Sequence, residues 1–303
     1  MQNIPGNKQN IEDIQDIQIE AKNLSYIYGS GTAFEQHAIK NVSFKIRKNE
    51  FVGIIGHTGS GKSTLIQHLN GLIKATSGEL FFNGENIYSQ KYDMKLLRQK
   101  VGLVFQYPEH QLFETDVISD VMFGPKNQKL DMAEVESRAK ESLSLVGLDE
   151  SYYKKSPFEL SGGQKRRVAI AGVLAMHPEV LILDEPTAGL DPKGRDELFE
   201  KILELKNTKN MTIMLVSHSM EDVARYVDRL LVMNNGELVL DGSPKEIFKQ
   251  YKLLESIGLS APQITYIVER LKSEGVNLGD GITTITEAKD AILEYISRKG
   301  RND

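Results

Sequence analysis

The stretch Phe51-Val52-Gly53-Ile54-Ile55-Gly56-His57-Thr58-Gly59-Ser60-Gly61-Lys62-Ser63-Thr64-Leu65-Ile66 decides the fold. The apolar run at its start reads as a buried strand, the glycine-rich octet Gly56 to Ser63 as a loop, and Thr64-Leu65-Ile66 as part of a following helix. The octet fits Gly-x4-Gly-Lys-Ser/Thr, and strand–loop–helix is the setting in which such a loop holds phosphate. Glycines let successive backbone N–H groups converge on a β-phosphate, and the helix that begins there adds about half a positive charge. Lys62 can then reach the β- and γ-phosphates, and the Ser63 hydroxyl is placed to ligate Mg²⁺. A nucleoside triphosphate is the expected ligand.

Further along, Val180-Leu181-Ile182-Leu183 runs into Asp184-Glu185. An unbroken apolar run reads as a parallel strand covered on both faces, so its terminal acids emerge at the edge where open α/β sheets bind ligands. Asp184 is the candidate for holding Mg²⁺ through water, and Glu185 the candidate general base for an attacking water. Leu160-Ser161-Gly162-Gly163-Gln164 precedes a helical run from Lys165 to Met176, which puts Ser161 to Gln164 at a second helix N-terminus and makes a second anion site. One γ-phosphate needs only one such terminus, unless two copies face head to tail and each completes the other's site.

The bulk numbers bound this reading. The chain has 303 residues, 40% of them hydrophobic, enough for one large core with an appendage or for two domains. A net charge of −5 gives no electrostatic reason to expect nucleic acid as a partner. Cysteine is absent, which excludes a disulfide framework and thiolate metal sites. The longest apolar run, Val168 to Met176, is far short of the ~18 residues that cross a bilayer as a helix. Residues 1–16 are polar, contain Pro5 and Gly6 and lack an apolar h-region, so a disordered leader is expected there rather than a signal peptide.

Strands are expected at Ile17 to Leu24, Ala38 to Ile46, Phe51 to Ile55, Leu80 to Phe82 and Val101 to Phe105, with only the helix after the phosphate loop among them. From Asp116 to Met176 the pattern turns helical, as in Met132, Val135, Ala139, Leu143 and Val146. An α/β rhythm then resumes with strands Val180 to Leu183 and Met211 to Val216, helices Lys193 to Lys206 and Met220 to Val227, and a hairpin turning across Asn234 to Glu237. After Ser243 two amphipathic helices are expected, the second opened by a capping box at Thr284 and Glu287.

With the phosphate loop, the pentapeptide at Leu160 and the Asp-Glu strand in this order, the chain resembles an ATP-binding cassette (ABC) ATPase over about 17–251. The resemblance implies an α/β P-loop NTPase with a mixed β region, a helical insert at about 107–176 and a cassette domain over 17–248; the helical segment that follows, 249–303, is expected from its position to add dimer contacts. It implies ATP as substrate with Mg²⁺. Gln106 is similar to the loop glutamine that touches the metal and water, Asp191 in Ala188-Gly189-Leu190-Asp191 to the acid of the loop where two cassettes meet, and His218 to the switch histidine on the γ-phosphate. Tyr28 resembles the aromatic that stacks on adenine, with Tyr26 close by.

The run Gln106-Tyr107-Pro108-Glu109-His110-Gln111-Leu112-Phe113, with Asp120 to Pro125 and Gly163 to Gly172, is similar to the ATPase subunits of energy-coupling factor (ECF) importers. That likeness implies uptake of vitamins or transition-metal ions and attachment to the cytoplasmic face of the cell membrane. The implied partners are a second ABC ATPase in a heterodimer or homodimer, a transmembrane scaffold subunit and a substrate-binding membrane subunit. Leu112 and Phe113 would be apolar contacts for the scaffold, or else packing residues. An ABC ATPase of another importer or of a soluble assembly such as iron-sulfur cluster biogenesis would keep the nucleotide residues. A GTPase or small-molecule kinase would not: Asn7-Lys8 lacks the guanine-specifying aspartate, and Ser161 to Gln164 would go unexplained.

Overall fold

Short strands buried on both faces build the centre of the molecule. The computed structural model describes residues 16–299, so the leader expected for residues 1–16 lies, but for Asp16, outside the described residues. Strands β1 (Ile17–Tyr28), β2 (Gln36–Arg47), β3 (Phe51–Ile55), β4 (Ser77–Phe82), β5 (Glu85–Asn86), β6 (Val101–Val104), β7 (Val180–Asp184), β8 (Thr212–Val216), β9 (Arg229–Asn234) and β10 (Glu237–Gly242) form two sheets. One is antiparallel with the order β2-β1-β4-β5. The other has the order β10-β9-β3-β8-β7-β6, parallel except for β10, which returns from β9 through Asn235-Gly236.

Every residue of β3, β7 and β8 is buried, and strand alternation divides their side chains between two cores. Phe51, Ile55, Leu181, Leu183, Ile213 and Leu215 join the helices of the insert and the C-terminal half. Val52, Ile54, Val180, Ile182, Met214 and Val216 face the other way, onto the antiparallel sheet and the helix after the phosphate loop.

That helix is α1 (Lys62–Leu69), and a second one, α2 (Met94–Lys100), also stands among the first strands. This corrects the expectation of a single helix there. Asp93 caps α2 by accepting from the backbone N–H of Lys95 and Leu96, and only Leu97 is buried, so the segment shows almost no apolar periodicity. The insert holds α3 (Val117–Asn127), α4 (Met132–Leu145) and α5 (Gly162–Leu174), the first two capped by Asp116 and Asp131. The α/β half adds α6 (Pro192–Lys209) and α7 (Met220–Tyr226).

Beyond Ser243 come α8 (Pro244–Phe248), α9 (Tyr251–Ser256), α10 (Gln263–Ser273) and α11 (Ile285–Lys299), two more helices than periodicity gave. The short α8 and α9 bury Phe248 and Leu254 in the main core, whereas α10 and α11 share a small cluster of Val268, Ile282 and Ala288. The capping box is present: Glu287 N–H donates to Thr284 Oγ1 at 3.3 Å, and Thr284 N–H to the Glu287 carboxylate at 3.2 Å.

Phe199 on α6 is fully buried and stacks on Tyr226 with ring centroids 4.3 Å apart. Phe199→Ala is expected to cost about 3–5 kcal/mol of stability, read as a lowered midpoint in urea unfolding.

Candidate active site

The C-terminal ends of four neighbouring parallel strands supply the site. Strand order places β3, β8, β7 and β6 side by side, and their ends lead into Gly56 and the phosphate loop, Ser217-His218, Asp184-Glu185 and Gln106. A cavity of about 320 Å³ at this edge is lined by Lys62, Ser63, Gln106, Asp184, Glu185 and His218, together with Tyr28, Thr58, Gly59, Gly61 and Thr64. Residues more than a hundred positions apart in sequence therefore share one concavity. A larger cavity of about 760 Å³ lies at the opposite edge, by the strand starts at Gln18, Asn49, Glu179 and Met211, and none of the motif residues lines it.

The phosphate loop is braced from behind. Gly61 has a φ of 104°, and a Cβ there would lie 2.5 Å from the carbonyl oxygen of Ala38 on β2, so glycine is required twice over. Gly236 in the β9–β10 turn donates its N–H to Ser60 O at 3.0 Å and accepts from Lys40 N at 2.8 Å. His57 has one ring nitrogen 2.8 Å from Thr58 O and the other 3.0 Å from the Asn234 side-chain oxygen. Lys62 is 6% exposed, and its Nζ donates to Gly56 O at 2.7 Å and His57 O at 3.0 Å. Burial lowers the Lys62 pKa, against the pull of Glu185 and Asp184.

Glu185 stands out on two counts. Its φ is 52°, the left-handed region that a non-glycine residue occupies only where its surroundings hold it there. Burial pushes its carboxyl up to about 7, a rise the Asp184 charge adds to and the His218 backbone N–H and Lys62 oppose. His218 Nε2 lies 3.3 Å from Glu185 Oε1 without hydrogen-bond alignment, and burial lowers the imidazole pKa. Burial likewise raises Asp184, with Lys62 opposing. The site thus combines a carboxyl that titrates near neutrality with an uncharged imidazole, the state suited to moving a proton at pH 7.

Ser63, Gln106 and Asp184 line one cavity, and their side chains offer hard oxygen donors of the kind Mg²⁺ takes together with phosphate oxygens and water. No cluster of three acidic or histidine side chains that could hold a metal alone occurs among the described residues.

Tyr28 lines the cavity, while Tyr26 packs edge-on against it at 4.8 Å and faces His68. Gln36 and Ala38 also line it and were not expected: Gln36 pairs with Tyr28 across β1 and β2, a proximity no local motif announces. Ser161, Gly162, Gly163, Gln164 and Asp191 do not line the cavity. Ser161 and Gln164 form a capping box on α5, and Asp191 caps α6 by accepting from Gly194 N at 2.9 Å. Phe113 is 61% exposed and meets Phe123 edge-on at 4.9 Å, whereas Leu112 is half-buried against the core. With Val168, Gly172 and Met176 they line an apolar groove of about 400 Å³ on the insert.

The ABC transporter family profile matches residues 39–188. The energy-coupling factor transporter ATP-binding protein EcfA2 of Clostridium tetani is 54% identical over 285 residues, covering 94% of this chain and 99% of that protein. The chain belongs to the ABC transporter ATPases, among the energy-coupling factor ATP-binding proteins. A solved member, cbiO1 from Clostridium perfringens, described as part of the ABC transporter complex cbiONQ, is 41% identical with a TM-score of 0.71, covering 84% of this chain and 99% of its own. The ABC cassette MJ0796, solved as a dimer in a post-hydrolysis state with ADP and Pi, is 31% identical with a TM-score of 0.67, covering 75% of this chain and 98% of its own. As an ABC ATPase, the chain binds and hydrolyses ATP.

Because the folded-state pKa of Glu185 lies above the usual 4.5, folding is penalised as pH rises from 4.5 through 7, and the penalty is complete above it. Removing the charge with Glu185→Gln is therefore expected to stabilise the nucleotide-free protein at pH 8 by up to about 3 kcal/mol and to change little near pH 4. Equal melting temperatures of parent and variant at pH 8 would contradict the raised pKa.

Proposed function

We infer that this chain is the ATP-hydrolysing subunit of an ECF-type importer, working at the cytoplasmic face of the cell membrane with membrane-embedded partners. The observation that carries the reading is the convergence of Lys62, Ser63, Gln106, Asp184, Glu185 and His218 on one cavity, in a relative of EcfA2 proteins. Among the described residues no helix is long and apolar enough to cross a membrane, so transport needs other chains.

The triphosphate lies along the phosphate loop, its adenine on Tyr28, with Lys62 exchanging its hold on the Gly56 and His57 carbonyls for phosphate oxygens. Ser63, Asp184 and Gln106 would hold Mg²⁺, which when bound would supply positive charge against the phosphates. Glu185 accepts a proton from water as the water oxygen bonds to the γ-phosphorus and the bond to the β,γ-bridging oxygen breaks, releasing ADP and phosphate. His218 contacts the γ-phosphate and orients Glu185, 3.3 Å away.

Ser161 to Gln164 and Asp191 serve a second cassette. Two chains stand head to tail, each closing the other's site, and the partner is a related ATPase or a second copy. ATP binding closes the pair and hydrolysis reopens it. The groove lined by Phe113 and Phe123 receives a helix of the transmembrane scaffold, because exposed aromatic rings over an apolar floor suit a helix-in-groove contact. A substrate-binding membrane subunit selects the cargo, a vitamin or a transition-metal ion, and helices α10 and α11 add dimer contacts through exposed Ile267, Leu293 and Ile296.

Lys62→Ala is expected to weaken ATP binding by about a hundredfold or more, measured by isothermal titration calorimetry. Glu185→Gln should keep that binding, lower kcat by roughly 10²–10⁴, and accumulate an ATP-dependent dimer on a sizing column; normal turnover by this variant would remove Glu185 from the mechanism. Purification from gently solubilised native membranes tests the assembly. Recovery of a second cassette and a polytopic scaffold is expected, and recovery of soluble partners alone would leave the ATPase and discard the importer.

A further inference from the structure

Arg166, two residues past Gln164 on α5, is only 3% exposed, an unusual place for a guanidinium. Its Nη2 lies 3.2 Å from both carboxylate oxygens of Glu109, and its Nη1 donates to the carbonyl oxygen of Ala188. Nε has no partner among the described residues, so the directional bonding of the group goes to these two segments. Glu109 follows Gln106 by three residues, and Ala188 follows Glu185 by three. Both segments also turn through a left-handed residue, Tyr107 with φ 56° in one and Glu185 with φ 52° in the other. A left-handed residue breaks the line of the strand before it, so the path of each loop depends on what grips it further on. The same guanidinium grips both.

We propose that Arg166 is a positioning residue for hydrolysis: from the rigid helix α5 it ties the loop after Gln106 to the turn after Glu185 and so fixes the separation of the two groups that act on the water. The proposal rests on the roles given above to Gln106 and Glu185. Arginine suits the task where lysine does not, because its planar fork reaches two acceptors in different directions and lysine offers one point charge. The Glu109 carboxylate supplies the balancing charge that a buried guanidinium requires.

The test uses the full chain in the assembly it purifies with, and reads kcat and KM for Mg-ATP together with thermal unfolding. The central variant is the pair Arg166→Met with Glu109→Leu, which strands no charge and leaves the fold able to form. Its kcat is expected to fall on the order of tenfold to a hundredfold, as for a small misplacement of reacting groups, with KM within about twofold of the parent. Arg166→Lys, which keeps one of the two grips, should fall in between with unchanged unfolding, and it decides the matter should the double variant fail to fold. Parental kcat in the double variant, or in Arg166→Lys where only that folds, would overturn the proposal, as would a rise in KM at constant kcat. Glu185→Gln run alongside separates the two failures. Normal turnover there removes the underlying mechanism, whereas a dead Glu185→Gln beside a fully active double variant removes Arg166 alone.

Discussion

Strands covered on both faces have no side to spare for polar chemistry, and that constraint arranges the whole molecule. Along β3, β7 and β8 the apolar side chains enter one of two cores, so the polar groups that face the cavity stand at or just past the strand ends. Parallel pairing puts all those ends at one edge, and the order β3-β8-β7-β6 makes neighbours of loops that the sequence scatters. The antiparallel sheet contributes from the side: β2 brings Ala38 against Gly61, and β1 ends at Tyr28. The phosphate loop is therefore a buttressed ledge, held by Gly236 and Asn234 as well as by its own strand.

Burial is also what raises the Glu185 carboxyl. A carboxyl just past a strand of four apolar residues and Asp184 loses hydration and gains a like-charged neighbour, and both effects favour the protonated form. Lys62 softens the effect without cancelling it. The left-handed backbone at Glu185 is the local cost of pointing this side chain into the cavity instead of along the strand, and its N–H is satisfied by Val216 O at 3.0 Å, which pins the turn to β8. His218 follows on the same strand, so the pair is set by sheet register and owes nothing to sequence proximity.

What could be read in advance divides along the same line. The octet at Gly56, the acids after Leu183 and the glycines after Ser161 were legible because each is a local pattern whose flanking apolar run declares its element. Resemblance pointed to Tyr28 with Tyr26 close by, and the fold puts Tyr28 on the cavity while Tyr26 packs against it and His68. The roles of Gln36, Asn234 and Arg166 were illegible: Gln36 meets Tyr28 only through strand pairing, and Asn234 and Arg166 reach their partners by packing across 22 to 177 positions. Helix α2 escaped because one buried leucine makes no period. The α8 and α9 helices escaped because each spans fewer than two turns.

The segments that do not line the cavity are nonetheless fastened to it. Leu190 packs so closely on Gly163 that a Cβ there would sit 3.2 Å from its Cδ2, and Asp191 follows immediately as the cap of α6. The turn that begins at Glu185 thus runs within six residues onto the N-terminal end of α5, where Ser161 and Gln164 are exposed to half-buried. Gly162 has open space around its Cα, so nothing in its own chain demands a glycine there. A bare backbone at a helix N-terminus, without a side chain to fill the space in front of it, is the surface expected where an anion or another chain must come close. Anything pressing on that surface bears directly on α5 and, through Leu190, on the turn that holds Glu185.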